Sequence, residues 1–237
     1  MTPYVNQVVA NVNTSVTSST LTITNPVYKG SCLHVSAVWT GATSVYSSIN
    51  DTNSNVYNLL SLNGNGTVSM AVFNCVNKTA VPGNTLGISL NFLSSTTVGI
   101  EAKEVANTIG ESNGPLSGGN DHVGISVNPG TGTNAIIASI NPGGPIMLLA
   151  TCVNISGAYG TLQVGNNVPT TSLNDGAYFN SAGWNILSEY NYNAIASGIS
   201  SLTIAYTDSV NGGSSTYFCS ATSYGYIGQP LMADSCL

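Results

Sequence analysis

The sequence predicts an all-β protein, a Greek-key or Ig-like β-sandwich with an extended N-terminal strand, and three observations predict it. Apolar, β-branched and aromatic residues alternate with polar ones from end to end, the period of a half-buried strand. Gly- and Pro-rich turn signals separate these runs, among them Pro82-Gly83, Gly114-Pro115, Asn128-Pro129-Gly130 and Asn141-Pro142-Gly143-Gly144. No stretch carries the 3.6-residue apolar stripe of a surface helix. Many short strands punctuated by turns are the signature of a sandwich or jelly roll.

The first element is unlike the others. Residues 4–16 read as one extended strand, with Tyr4, Val8, Ala10, Val12 and Val16 on one face and Val5, Gln7, Val9, Asn11, Asn13 and Ser15 on the other. Thirteen extended residues span roughly 43 Å, longer than the usual strand. The following Thr-Ser-Val-Thr-Ser-Ser-Thr, residues 14–20, contains no turn residue and reads as a hydroxyl-rich tether. The expected organisation is therefore a donor strand with linker over residues 1–19 and a sandwich domain over 20–237. A tethered strand suits insertion into a neighbouring molecule, where main-chain hydrogen bonds supply affinity and alternate side chains fill pockets. The other reading is a first strand paired within its own sheet.

Further strands are expected over residues 20–26, 32–40, 43–49, 55–61, 67–76, 84–93 and 97–106. In the second half they are expected over 121–127, 134–139, 145–153, 159–164, 183–191, 200–207 and 215–221. The one segment that suggests a helix is 100–106, where Glu101, Lys103 and Glu104 interrupt apolar residues; Val98, Ile100 and Ala102 alternate, which favours a strand. Trp39 and Trp184 are expected in the core.

Only twelve of 237 residues are formally charged, 5% against about 25% in an ordinary domain. There is no arginine and the net charge is −6. Phosphate recognition needs a basic surface, so nucleic acid and anionic lipid are not expected as partners. The longest apolar run, residues 146–150, is far short of a spanning helix, so no membrane span is expected. No signal peptide is visible at Met1. A surface built from hydroxyls, amides and glycine does not depend on carboxylate ionisation and keeps working in acid. Five cysteines, Cys32, Cys75, Cys152, Cys219 and Cys236, stand far apart without a CxxC pair, which is poor spacing for zinc and better for disulfides. Cys32, Cys75, Cys152 and Cys219 are expected in two bridges of open connectivity, with Cys236 left over. Asn13, Asn50, Asn65, Asn77 and Asn154 begin Asn-X-Ser/Thr triplets and are candidate glycan sites, although five are no more than this composition gives by chance. Together these features point outside the cell.

Catalytic chemistry is hard to assemble. His34 and His122 are the only candidate bases, and both read as strand or turn residues rather than members of a triad. Glycoside hydrolysis needs two carboxylates across a cleft; Glu101 and Glu104 point to opposite faces of a strand, and Glu189 and Asp208 stand on separate strands. Asp51-Thr52-Asn53-Ser54-Asn55 begins like a calcium loop, but Val56 and Leu62 occupy the positions that need Gly and Glu, so it reads as a polar turn. Lys103 lies between Glu101 and Glu104; facing the interior it would need such compensation and could enter a Lys–Asn or Lys–Asp crosslink, whereas the favoured reading is an exposed lysine on an edge strand. The chain is therefore not expected to be an enzyme and implies no cofactor or metal.

The low-charge Ser/Thr/Asn/Gly/Tyr body, the absent arginine, the sequons and the alternating strand Tyr4–Val16 resemble the subunit of the archaeal thread, a glycosylated surface filament of Sulfolobus-type acidophiles. The resemblance implies a pilin-like β-sandwich whose N-terminal strand completes the sheet of the next subunit, giving a homopolymer by donor-strand complementation, coated with N-glycans and serving adhesion or cell contact. Separately, Asp51, Asn55 and Tyr57 look like the D-x-x-x-N-x-Y pattern of secreted bacterial β-sandwich modules. The alternatives are a monomeric secreted carbohydrate-binding or adhesive module, with Tyr217–Tyr226 as a sugar platform, and a viral or S-layer structural protein.

Overall fold

The computed structural model describes residues 4–81 and 85–106, and beyond them the strands at 123–126, 134–140, 146–154, 161–164, 174–181, 184–191, 202–207 and 217–225. Its first half is one antiparallel sheet of β1 (Tyr4–Ile23), β2 (Cys32–Thr40), β3 (Tyr46–Asp51), β4 (Asn58–Gly64), β5 (Val68–Val76) and β6 (Leu86–Ala106), with a 3-10 turn at Thr43–Val45 before β3. Its order is β1-β6-β2-β5-β4, and β3 pairs separately with β6.

Two strands of about twenty residues make this sheet fold on itself. β6 pairs with β1 along its whole length; its first half pairs with β3 on the other edge and its second half with β2. Register shifts at Asn13/Val16 and Val16/Ser18 interrupt β1 opposite the exposed stretch 93–95 of β6, and both strands bend there. One leaf thus holds β3 with the first half of β6 and the second half of β1. The other holds β4, β5 and β2 with the remaining halves.

The leaves close on a single apolar core. Leu21, Ile23, Leu86, Ile88, Leu90 and Phe92 from the first leaf pack against Leu33, Val35, Ala37, Trp39, Ala71, Phe73, Val98, Ile100 and Ala102 from the second. Aromatic rings link the leaves: Trp39 lies 5.6 Å from Phe92 and 6.0 Å from Tyr46, and Tyr46 lies 5.5 Å from Phe73. The fully buried Trp39 also donates its Nε1–H to the carbonyl of Ala42 at 3.1 Å, which satisfies its one polar atom. At the β4–β5 hairpin Asn65 Oδ1 accepts from the N–H groups of Thr67 and Val68, and Gly66 takes φ +89°, open to glycine at little cost.

The second half contributes β7 (Val123–Ser126), β8 (Asn134–Ile140), β9 (Ile146–Asn154), β10 (Thr161–Val164), β11 (Asn174–Ser181), β12 (Trp184–Asn191), β13 (Leu202–Thr207) and β14 (Tyr217–Gly225). They form a sheet of order β10-β13-β8 and another of order β11-β12-β9-β14-β7. β9 covers the outer face of the second leaf: Leu149 packs with Cys32 and Val105, with Val5 against them, and Thr151 Oγ1 and Ser36 Oγ share a hydrogen bond of 2.9 Å. β2 is consequently buried on both faces.

The all-β sandwich is as expected, with instructive differences. The strands expected at 4–16 and 20–26 are one strand, as are those at 84–93 and 97–106, because a bulge or bend takes the place of a turn. β11 was not expected; its ladder with β12 has a register irregularity between Asp175 and Tyr178, a stretch that includes Gly176. Residues 100–106 are strand.

Truncating Trp39 to Ala leaves a cavity where the leaves meet and should lower unfolding free energy by about 3–5 kcal/mol, read as a fall in the midpoint of denaturant unfolding with an unchanged slope.

Candidate functional site: the joint between β1 and β6

The joint is a main-chain ladder running from Tyr4 opposite Ala106 to Ile23 opposite Leu86. Its two ends differ in depth. Leu21 and Ile23 are fully buried, whereas residues 5–13 are half-buried or exposed. β1 also ends the strand order, so its far edge has no strand partner among the described residues.

Of the residues expected on one face, Val8, Ala10 and Val12 stand opposite Lys103, Glu101 and Gly99 on the outer side of the second leaf. Val16, past the register shift, packs with Val9 against the core between the leaves. The backbone of Tyr4 pairs with Ala106, and its side chain is outside the described set. The bulges thus divide the single stripe that strict alternation would make.

Beneath the shallow half of β1 lie three of the chain's few charges. Glu104 is fully buried and faces the opposite side from Glu101, as their spacing predicts. Its Oε2 accepts from Asn6 Nδ2 at 2.7 Å and Gln7 Nε2 at 2.6 Å, and its Oε1 from the N–H of Tyr28 at 2.7 Å. One carboxylate therefore clamps both the start of β1 and the turn that follows it. Lys103, expected as an exposed edge lysine, is instead fully buried and paired with Glu101, because β6 is an interior strand covered by β9. His34 stands opposite Lys103 on β2 and is buried. Burial first, and the Lys103 charge second, lower its pKa to about 3.

Two amide oxygens of β1 are less well served. Gln7 Oε1 and Asn11 Oδ1 are buried without a hydrogen-bond partner. Asn11 Nδ2 donates to the carbonyl of Thr20 at 3.0 Å. Between the halves of the strand, Ser15 takes φ +55°, a left-handed conformation that costs a non-glycine residue roughly 1–2 kcal/mol.

The candidate glycan sites separate by accessibility. Asn50 and Asn65 are exposed; Asn13 is half-buried and donates to Ser19 Oγ at 2.7 Å. Asn77 is fully buried, its Nδ2 donates to the carbonyls of Tyr28 and Thr79, and its Oδ1 accepts from Asn53 and Asn55, so the folded chain leaves no room for a glycan there. Asn154 ends β9, with its side chain outside the described set. Cys32 and Cys75 do not bridge each other: they are buried thiols on neighbouring strands, Cys32 toward β9 and Cys75 in the core between the leaves. Burial raises the Cys75 thiol pKa far above its usual range.

The calcium-like segment is a hydrogen-bonded turn. Asp51 Oδ1 accepts from the N–H groups of Asn53 and Asn55, and Oδ2 from Asn55 Nδ2 at 2.7 Å and the Tyr57 hydroxyl at 2.9 Å. The D-x-x-x-N-x-Y pattern is thus one carboxylate with its four donors. Asn55 Oδ1 in turn accepts from the N–H of Lys78, pinning this turn to the end of β5. Among the described residues no group of His, Cys, Asp and Glu is arranged to hold a metal, and no helix is long and apolar enough to cross a membrane. His122 and Asp208 lie outside the described residues, as does Tyr226; Tyr217–Gly225 forms β14. Sequence reasoning missed the Glu104 clamp, which joins residues 97 and 98 positions apart. Comparison with protein family models, with characterised proteins and with solved structures finds no match.

Glu104→Gln should loosen the front of β1, since the new amide presents a donor where three donors converge; a loss of about 2–4 kcal/mol is expected, with faster hydrogen exchange at residues 5–9 than at 19–23. His34 sets a pH dependence. Its folded pKa lies below the unfolded value near 6.5, so the unfolded chain binds the extra proton first. Stability should therefore fall as pH drops from about 6.5 to about 3 and level off below. Denaturant midpoints across that range should show a smaller slope for His34→Gln.

Proposed function

We propose that this chain is the structural subunit of an extracellular surface filament, assembled head-to-tail when the front of β1 leaves its own sheet and pairs with β6 of the next copy. The observation that carries the reading is β1 itself. It is a 20-residue strand at the end of the strand order, with no charged residue from its start until Lys29. Natural edge strands are usually shortened or guarded by charges and prolines; this one is long, carries neither, and is interrupted by bulges.

Its packing suits exchange. The front half is shallow and held mainly by main-chain pairing and the Glu104 clamp, whereas Leu21 and Ile23 anchor the back half in the core. The hinge is the irregularity around Ser15, inside the hydroxyl-rich segment, so the moving part coincides with residues 4–13. Swapping an identical element between copies recreates every native contact and generates an open chain when the geometry does not close. Partners are then other copies of the chain, and Asn50 and Asn65 are the positions best placed to carry N-glycans. The low-charge surface and the resemblance to the archaeal thread support an acidic, extracellular setting.

The test compares the intact chain with one lacking residues 1–17, with and without a synthetic 1–17 peptide, by size exclusion and negative-stain microscopy after brief destabilisation and return to native buffer. Fibres from the intact chain, none from the truncated one, and a peptide-capped monomer are expected. Val8→Asp should abolish fibres, because it sets a carboxylate beside the buried Lys103–Glu101 pair, while Thr17→Asp, exposed, should not. A monomer that ignores the peptide, or fibres from the truncated chain, would overturn the proposal. Glycopeptide mass mapping of protein from its native host should find sugar at Asn50 or Asn65 and none at Asn77.

A further inference from the structure

The backbone register of the second half assigns a covalent link. In the β14–β9 ladder Cys219 stands directly opposite Cys152, within an uninterrupted run of pairs from Tyr217–Asn154 to Gly225–Ile146. Directly opposed residues of an antiparallel pair have Cα atoms about 4.5 or 5.5 Å apart, according to the type of pair, and lie on the same face. Both separations fall within the roughly 4.4–6.8 Å that a disulfide bridges. We infer that Cys152 and Cys219 form a cross-strand disulfide that staples β9 to β14.

The other described cysteines are excluded by their faces. Cys75 is enclosed in the core between the two leaves of the first sheet. Cys32 lies between the first sheet and β9, packed with Leu149. Leu149 and Thr151 are the β9 residues turned toward that sheet, and Cys152 has the opposite parity, so it belongs to the other face of β9. Reaching Cys32 from Cys152 would require β9 to slip by a residue, which would carry Leu149 and Thr151 out of their contacts. Cys236 lies outside the described residues.

The bridge would close a long segment. It joins strands at the middle of the order β11-β12-β9-β14-β7, ties together the ends of a segment that includes β10 to β13, and braces the strand that covers β2. The oxidant is a low-molecular-weight disulfide. One protein thiolate attacks glutathione disulfide and expels a glutathione thiolate; the second attacks the protein sulfur of the mixed disulfide and expels the other. Two protein thiols become one disulfide, and two glutathione thiols are formed.

The test uses the folded full-length chain equilibrated with excess glutathione disulfide, quenched in acid, alkylated in denaturant and digested without reduction. Chymotrypsin-type cleavage is suitable because only three lysines and no arginine are present. The expected result is a linked pair of peptides containing Cys152 and Cys219, two mass units lighter than the separate thiols, with Cys32 and Cys75 alkylated. Cys152→Ser and Cys219→Ser should each lower the thermal midpoint of the oxidised protein by about 5–15 °C. The double variant should lose no more than either single one, and reduction should erase the difference. Recovery of both cysteines as alkylated thiols, as glutathione adducts, or joined to Cys236 would overturn the assignment, and the mapping of the unmodified chain decides the matter even where a variant fails to fold.

Discussion

Everything in the first half of the chain hangs on the second half of β6. From Val98 to Val105 this strand has a partner on each edge, β1 and β2, and is buried on both faces. A strand so enclosed has no access to water, so each polar side chain on it must find its partner inside the protein. Three of its residues are charged, and the way each is compensated fixes the neighbours: Glu104 collects donors from β1 and the turn after it, while Lys103 and Glu101 pair under β9. Enclosed ion pairs seldom add net stability over apolar replacements, because desolvation offsets the attraction. What this pair enforces is register. Slipping β6 by one residue would place Lys103 among Leu33, Val35 and Phe73 and lift Ile100 and Ala102 out of the core.

The same enclosure explains what was legible in the sequence. Alternation in β2, with Leu33, Val35, Ala37 and Trp39 against Cys32, His34 and Ser36, locates the strand and its core face. It also suggests that the second face is wet, and there the inference from pattern fails. Small hydroxyl residues can be buried cheaply when they meet each other, as Ser36 meets Thr151, so a polar face in this chain is compatible with an interface. Lys103 misleads for the same reason. A lone lysine in a strand reads as a solvated edge, and only the arrival of β9, more than forty residues later, makes it interior, with a flanking glutamate as its partner. The tether at 14–20 is a related case: the absence of a turn residue is real, but the chain uses a bulge and one left-handed serine to continue the strand. The clamp of Glu104 on Asn6 and Gln7 is set by pairing across nearly a hundred residues, which no local pattern encodes.

Around Asp51 the outcome is the reverse, since the local pattern carries the structure. A carboxylate with donors two, four and six residues ahead closes on itself, and the acceptor capacity that a cation would use is already taken by Asn53, Asn55 and Tyr57. Burial pushes the Tyr57 hydroxyl pKa strongly upward, so it remains a donor to that carboxylate. Asn77 closes the network from β5 and so loses its availability for modification. A sequon in a chain so rich in Asn, Ser and Thr carries little information by itself; what distinguishes Asn50 and Asn65 from Asn77 is whether the amide nitrogen is needed inside.

These constraints bear on which part of β1 is free to exchange. Paired in its own sheet, the strand has Ser15 in a left-handed conformation and leaves the amide oxygens of Gln7 and Asn11 buried without donors, an unmet demand of about 1–3 kcal/mol for each oxygen. These costs fall on residues 7–15, none on the segment from Ser18 to Ile23. The favourable terms divide the other way, with Leu21 and Ile23 deep in the core and the front half held by main-chain pairing, one carboxylate and the half-buried Val5 and Val9. In the proposed exchange, pairing with a second copy would retain the ladder and the clamp, while a straightened segment at 14–17 would relieve the serine. Relief of Ser15 would therefore favour the proposed transfer, and the effective concentration of an attached strand would oppose it. In the proposed exchange the balance between the two would be set by protein concentration, because only the intermolecular pairing depends on a second copy.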